Sequence, residues 1–500
     1  MKRTHGLVVA LFGLILLACS ARAQENENPY FGIRVVDGET KRGVPLVTLT
    51  TTNGIALVTD SNGWVAFSEP GLMDTTVWFA VSSPGYEVAK DGFGYAGARF
   101  TTTPGKTGEI SVRRTQIAER LYRITGQGIY RDSLLLEQPI PTVEGAINAG
   151  VLGQDSVQMV PYRERLFWLW GDTTLAKYPL GIFQVTAAWS DLPEKGGLDP
   201  AQGVRLHYLT EPENPSLVRK AAPVSEPGVV WLFGLLTVPD EAGNIRLIAH
   251  YSRRQSLAEE LEHGLMVFND ERQVFERFVV FDIKEKWRFP QGDAVRVTEE
   301  GKDWFYFANP FCYTRVPATL NALKDPKAYQ ALRWNQEVGE YQWQTDLPPT
   351  EQKDEKELRQ KNMISLKQAR YALHDVYHES EVEMHSASVF WNDYRKKWIL
   401  VGHQIYGKAS FLGEVWYAEA NNPAGPWSKA VQIATHPNYS FYNVRQHPFF
   451  DQKGGQVIYF EGTYTTLFSG NTSPTPRYDY NQIMYRLDLA DPRLKPALVP

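Results

Sequence analysis

The sequence predicts an all-β chain, an N-terminal β-sandwich followed by a five-bladed β-propeller, and two observations carry this. A strand–turn–strand phrase recurs from residue 154 to the end, and residues 29 to about 112 alternate apolar and polar positions between dense turn signals. In the first repeat, QDSVQMVPYRERLFWLWGDT, Asp155 leads to Phe167 twelve positions on. Asp293 leads to Phe305, Ser386 to Trp398 and His447 to Tyr459 at the same interval. A fifth, poorer copy, AAPVSEPGVVWLFGLL, has a shorter turn. β-rich repeats of this length, separated by turns, indicate radial blades around one central mouth.

The 500 residues are 43% hydrophobic, enough for several cores and roughly two or three domains. A formal net charge of −5 with both signs interspersed gives no sign of a nucleic-acid binder. Lys2, Arg3 and the apolar run from Leu7 to Ala18 read as an export signal, so residues 1–23 are set aside from the fold. Two cleavage readings stand side by side. Leu16-Leu17-Ala18-Cys19 resembles a bacterial lipoprotein box, which would end the signal at residue 18 and acylate Cys19; Ala21-Arg22-Ala23 would release a soluble chain from Gln24. Either route exports the protein to the periplasm, the outer membrane or the medium, with membrane contact only through a lipid on Cys19. No later stretch has the ~20 apolar residues of a span. Cys19 and Cys312 are the sole cysteines, so a mature internal disulfide and a cysteine zinc site are excluded.

Taken in order, residues 29–112 form the sandwich, with turns at Asp37-Gly38-Glu39-Thr40, Thr59-Asp60-Ser61-Asn62-Gly63, Pro70-Gly71 and Pro84-Gly85. Its phrases V-x-D-x-x-T-x-x-G-V-P, T-D-x-x-G and P-G-Y-E resemble the carboxypeptidase regulatory-like sandwich, which implies an accessory module without catalytic residues. Residues 113–149 read as a linker and 150–500 as the propeller. An insertion over about 313–382 interrupts the blades. Its charged middle, Gln352 to Lys361, reads as a solvated helix face or as a lid over the mouth, and Ile364 to Leu373 carries helical spacing beginning near Ser365.

In an antiparallel blade the start of the inner strand and the end of its neighbour lie at one end. That brings Asp155 and Asp172 together in the first copy, Glu383 and His385 with His403 in the fourth, and Arg445 and His447 with Glu461 and Tyr464 in the last; Asp293 supplies the third. Carboxylates, imidazoles and a guanidinium thus converge on one mouth. Two carboxylates facing a glycosidic oxygen and a water can hydrolyse a glycoside, one protonated as acid and the other activating water or attacking directly. Asp155 is the candidate base, Glu461 the first candidate acid and Glu383 the second, with Asp293 orienting or tuning the acid. Tyr464, Tyr442, Trp189 and Trp416 are candidate stacking faces, and Asp172, His385, His403, Arg445 and His447 candidate substrate contacts.

The layout, with GEVWYAEANNPAGPW as an outer-strand phrase, resembles the five-bladed propeller superfamily of arabinanases, β-xylosidases and related glycosidases. LFWLWGDT resembles the first blade of an uncharacterised propeller family that ends this strand in Gly-Asp-Thr. The resemblance implies an Asp early in the first blade, which Asp155 fits, and an ion near a central His. A Ca2+ held through water and oxygen ligands beside His447 is the ion it implies. The second Asp and the Glu of the arabinanase arrangement have no clear counterparts, and the invertase-type Asn-Asp-Pro is absent. H-E-x-x-H and G-x-S-x-G are absent as well, which argues against zinc hydrolase and serine esterase chemistry. The reading is an exported, glycan-directed glycoside hydrolase; the alternative is a non-catalytic carbohydrate-binding or envelope protein on the same scaffold.

Overall fold

The computed structural model describes residues 28–142, 149–182 and 184–498, so the export signal and Cys19 lie outside the described residues. Two four-stranded sheets form the N-terminal sandwich. One runs Trp64–Phe67, Phe31–Asp37, Thr107–Arg114, Tyr86–Glu87; the other Ala56–Val58, Thr48–Thr51, Thr76–Ser82, Gly97–Thr101. Ile33, Val35, Leu49, Phe67 and Phe79 meet between them, with the Phe67 and Phe79 rings edge to face at 5.1 Å. The turns follow their Asp residues. Asp37 Oδ1 accepts the Glu39 N–H at 2.8 Å, and Asp60 Oδ1 accepts those of Asn62 and Trp64 at 3.0 and 3.1 Å. Gly63 holds φ 80°, and a Cβ there would sit 2.5 Å from the Val35 carbonyl oxygen, so glycine is required.

Five antiparallel-cored sheets follow as blades. Blade 1 holds Gln158–Tyr162, Arg165–Trp170, Thr186–Asp191 and His207–Tyr208; blade 2 holds Val229–Pro239, Ile245–Arg254, Glu260–Asn269 and Val274–Phe281. Blade 3 holds Asp293–Glu299, Lys302–Ala308, Cys312–Pro317, Gln330–Asn335 and Glu340–Gln344. Blade 4 runs from Met384–Asn392 through Lys397–Gln404, Val415–Ala420 and Lys429–Ala434 to the short, parallel His374–Asp375. Blade 5 joins Ser440–Gln446, Val457–Thr465 and Asn481–Asp488 to Glu119–Arg123. The ring is therefore closed by a strand from the stretch read as a linker. Ile483 pairs with Arg123 and Met484 with Tyr122, a non-local register that no local pattern encodes.

The same strand fastens the sandwich. Arg120 is buried, donates from Nε to the Pro45 carbonyl at 3.0 Å and from Nη1 to that of Pro84 at 2.9 Å, and lies over the Tyr86 ring. Tyr478 donates to the Thr59 carbonyl at 2.7 Å, and Leu46 and Val58 of the sandwich join the blade 5 core.

Two expectations shift. In the fifth copy, AAPV before the Ser225–Gly228 turn forms no strand; VVWLFGLL is itself the inner strand of blade 2 and pairs forward with Ile245–Arg254, with a bulge between Phe233 and Leu236. The insertion supplies the outer strands of blade 3, Cys312–Pro317, Gln330–Asn335 and Glu340–Gln344. The helix is the charged Gln352–Gln360, capped by a reciprocal Glu351–Asp354 box. Ile364 to Leu373 forms turns, and its Ile364, Ala369 and Ala372 pack against Trp334. Among the described residues no helix is long and apolar enough to cross a membrane.

Candidate functional site

The inner hairpin of blade 1 continues beyond the blade, where Val151–Gln154 pairs with Thr173–Leu175. The kink between the two pairings holds Asp155 and Asp172. Gly171 N–H donates to the Asp155 carbonyl at 2.8 Å and Asp155 N–H to that of Asp172 at 3.4 Å. The Asp155 carboxylate lies over Gly171, where a Cβ would approach Oδ1 to 2.4 Å, so the Gly of Gly-Asp-Thr makes room for the acid. Both carboxyls are half-buried.

Blade 5 supplies the other wall. Tyr442 donates its hydroxyl to Asp155 Oδ2 at 2.8 Å, and the Tyr480 hydroxyl donates to the same carboxylate. Asn443 Nδ2 holds Ser156 Oγ at 2.6 Å. Ser156, Asn443 and Tyr480 have φ of 57°, 51° and 59°, so three non-glycine residues in the left-handed region surround one carboxylate. Such conformations persist only where their surroundings enforce them, and they cluster at functional sites. From blade 2, Trp231 Nε1 donates to Asp172 Oδ1 at 3.2 Å.

Burial, followed by the charge of Asp155, pushes the Asp172 carboxyl up to about 7. Burial also raises Asp155, and the two tyrosine hydroxyls oppose it. Two donors on one carboxylate and one on the other order the pair: the charge is better held on Asp155 and the proton on Asp172.

The remaining acidic candidates are internally compensated. Asp293, at the start of blade 3, is 4% exposed and ion-paired with Arg445, whose guanidinium burial brings down to about 9. Glu461 is fully buried. Its Oε1 meets His447 Nε2 at 2.6 Å, and the imidazole lies against Trp168 and Phe450. The expected acid therefore faces the packing between blades 5 and 1, not the mouth. The physical reason is register: Arg445 and Glu461 are directly paired and share a face, and the shorter acid stays behind the inner strand. Glu383, the second candidate acid, is held by Lys356 of the insertion helix at 2.8 Å.

His403 Nε2 and His385 Nδ1 are 3.0 Å apart, with His385 exposed and His403 buried; burial, then the His385 ring, holds His403 well below the usual imidazole range. Three expected stacking faces are packing groups. Trp189 lies edge to face with Phe167 at 4.9 Å and donates to Gln273, between blades 1 and 2. Trp416 is buried and donates to Gln404, and Tyr464 is buried and stacked on Tyr439 at 4.6 Å. Third-strand positions and the inward face of a second strand lie away from the mouth. Tyr442 does reach the site, through its hydroxyl.

A Ca2+ beside His447 does not fit these residues. Such an ion takes roughly six to eight oxygen ligands. Here His447 Nε2 is committed to Glu461 Oε1, and the nearby Arg445 guanidinium, which feels that charge, is ion-paired with Asp293. Among the described residues no group of three or more His, Cys, Asp or Glu is arranged to hold a metal. Trp231 and Tyr480 were not identified from sequence. Trp231 stands near the start of an inner strand whose phase the shorter turn concealed, and Tyr480 sits in a tail read as a plain strand.

No protein-family model matches the chain, and no curated protein matches it. Solved structures do. A GH43_1 enzyme from Xanthomonas citri, complexed with xylotriose, aligns over 68% of this chain and 88% of its own at 10% identity and a TM-score of 0.33. An α-L-arabinofuranosidase from Fusarium graminearum aligns over 69% and 96% at 11% identity and a TM-score of 0.35. An α-L-arabinofuranosidase from Podospora anserina, in complex with cellotriose, aligns over 69% and 92% at 10% identity and a TM-score of 0.32. Likenesses this loose carry no chemistry to the chain, so its function is argued from its own side chains.

Proposed function

We propose that the protein is an exported glycoside hydrolase acting on oligosaccharide or polysaccharide, with Asp155 and Asp172 as its paired carboxylates. The observation that carries this is the pair itself: two half-buried, electrostatically coupled acids at the mouth, one pushed up to about 7 by burial and its neighbour's charge, beside one that accepts hydrogen bonds from two tyrosine hydroxyls. Asp172 donates its proton to the leaving glycosidic oxygen as the C–O bond breaks and that bond's electron pair goes to the oxygen. Asp155 assists at the anomeric carbon, by deprotonating a water or by attacking directly. Tyr442, Tyr480 and Trp231 hold the two acids in place. The sandwich is an accessory module of the carboxypeptidase regulatory-like kind.

The internal pairing of Asp293 with Arg445 and of Glu461 with His447 favours a second reading, a carbohydrate-binding protein that has kept the mouth. Turnover decides between them. Purified protein is assayed on nitrophenyl glycosides and soluble polysaccharides beside Asp155→Asn and Asp172→Asn, with thermal shift in the same sugars. The hydrolase reading expects each variant to lose at least about a hundred-fold in kcat/KM. Turnover by Asp155→Asn equal to the parent's removes Asp155 from the chemistry. A sugar-induced rise in Tm without any turnover establishes the binding reading instead.

A further inference from the structure

Four large apolar or aromatic side chains are exposed on two loops of adjacent blades 4 and 5: Tyr406 (65%), Phe411, Leu467 and Phe468 (63%). Both loops leave at the mouth end. Residues 405–414 follow Gln404, which pairs with Met384 at the start of the blade 4 inner strand; residues 466–480 follow Thr465, which pairs with Ser440 at the start of that of blade 5. Cross-ties order both loops. Phe441 N–H donates to the Leu412 carbonyl at 3.0 Å, Ser440 Oγ to that of Leu467 at 2.6 Å, and Thr466 N–H to Asp479 Oδ1 at 2.7 Å.

Within this ordered backbone Tyr406 and Phe468 have φ of 62° and 65°. A bulky side chain in the left-handed region is an outlier, and here the strain coincides with rings left in solvent. The rings are also braced. Tyr406 meets Phe411 edge to face at 5.3 Å, and Phe468 meets Tyr442 edge to face at 5.9 Å. Tyr442 is the residue that donates to Asp155, so the Phe468 ring is one side chain removed from the candidate site.

We infer that Phe468 and Tyr406 are stacking platforms that carry a carbohydrate chain away from Asp155, so that the mouth takes an oligosaccharide or polysaccharide rather than a single sugar. The inference rests on the glycan-directed reading of that mouth. A sugar ring matches the surface because its apolar C–H face covers an exposed aromatic ring while its hydroxyls meet polar groups. Those groups are at hand in Asp155, Asp172, Tyr442, Tyr480 and Asn443. Rings held rigidly before binding lose little freedom when covered, which favours affinity.

The test is binding, which needs no turnover and is therefore read independently of the hydrolase proposal. The full chain, Phe468→Gly and Phe468→Trp are run by affinity electrophoresis in gels cast with arabinan, arabinoxylan, galactan or mixed-linkage β-glucan. Glycine suits the left-handed φ, so Phe468→Gly removes the ring without loss of Tm; Phe468→Asn is a second replacement that tolerates this conformation. The parent is expected to be retarded in at least one gel, Phe468→Trp to match it, and Phe468→Gly and Phe468→Asn to raise Kd roughly five-fold or more. Equal retardation of parent and Phe468→Gly overturns the platform, and so does a parent retarded in none of the gels.

Discussion

Asp172→Asn separates the coupled pair most cleanly, through the pH dependence of stability. The folded carboxyl titrates at about 7 against an ordinary 3.8, because burial and then the Asp155 charge oppose its ionisation. The gap corresponds to about 4 kcal/mol. Its sign follows from proton counting. Above about pH 4 the unfolded chain releases this proton while the native state keeps it, so native stability falls as pH rises towards about 7 and the penalty is complete beyond. An amide cannot ionise, and its oxygen still accepts the Trp231 N–H. The advantage of Asp172→Asn over the parent should therefore grow by about 3 kcal/mol between roughly pH 4.5 and 8.5, or about 4 °C in Tm for a cooperative unit of a few hundred residues. Calorimetric scans of both proteins at constant ionic strength across that range measure it. In an Asp155→Asn background the growth should shrink, since the second cause of the shift is gone. A Tm difference that stays constant with pH, or narrows as pH rises, would refute the coupled, half-buried acid and with it the assignment of Asp172 as proton donor.

Glu461→Gln should retain turnover within about ten-fold and lose Tm, because the carboxylate serves the blade packing; a hundred-fold loss of kcat at unchanged Tm would reinstate Glu461 as the acid. Gly171→Ala places a methyl 2.4 Å from Asp155 Oδ1, so the carboxylate must move, and turnover should fall at least as far as in Asp155→Asn; activity measured beside circular dichroism checks this. Arg120→Ala strips the buried hydrogen bonds from blade 5 to the Pro45 and Pro84 carbonyls and should cost about 3 kcal/mol or more, read as a loss of Tm, while an unchanged Tm would show the sandwich to be loosely held.

Much of the site was legible from one regularity. The starts and ends of paired strands share an end of the sheet, and this alone places Asp155 beside Asp172 and His385 beside His403. The same rule could not tell the mouth from the space between blades. Alternation assigns Glu461 and Arg445 to one face, but the length of each side chain decides that the guanidinium reaches Asp293 while the carboxylate stays with His447. Aromatic residues misled for a similar reason. A Trp or Tyr serves blade packing as well as a sugar face, and strand position sorts Trp189, Trp416 and Tyr464 into packing only once the blades are assembled.

By itself the sequence determined the inner hairpins of blades 1, 3, 4 and 5: hairpin pairing, turn chemistry and period-two burial act within some twenty residues, and each of these blades carries its own copy of them. The tertiary structure decided which acid works with which. Tyr442 lies 287 residues from the Asp155 it orients, and Glu119–Arg123 closes a ring whose partner strand is Asn481–Asp488. Contacts of that span depend on closure of the whole propeller, and no local pattern records them.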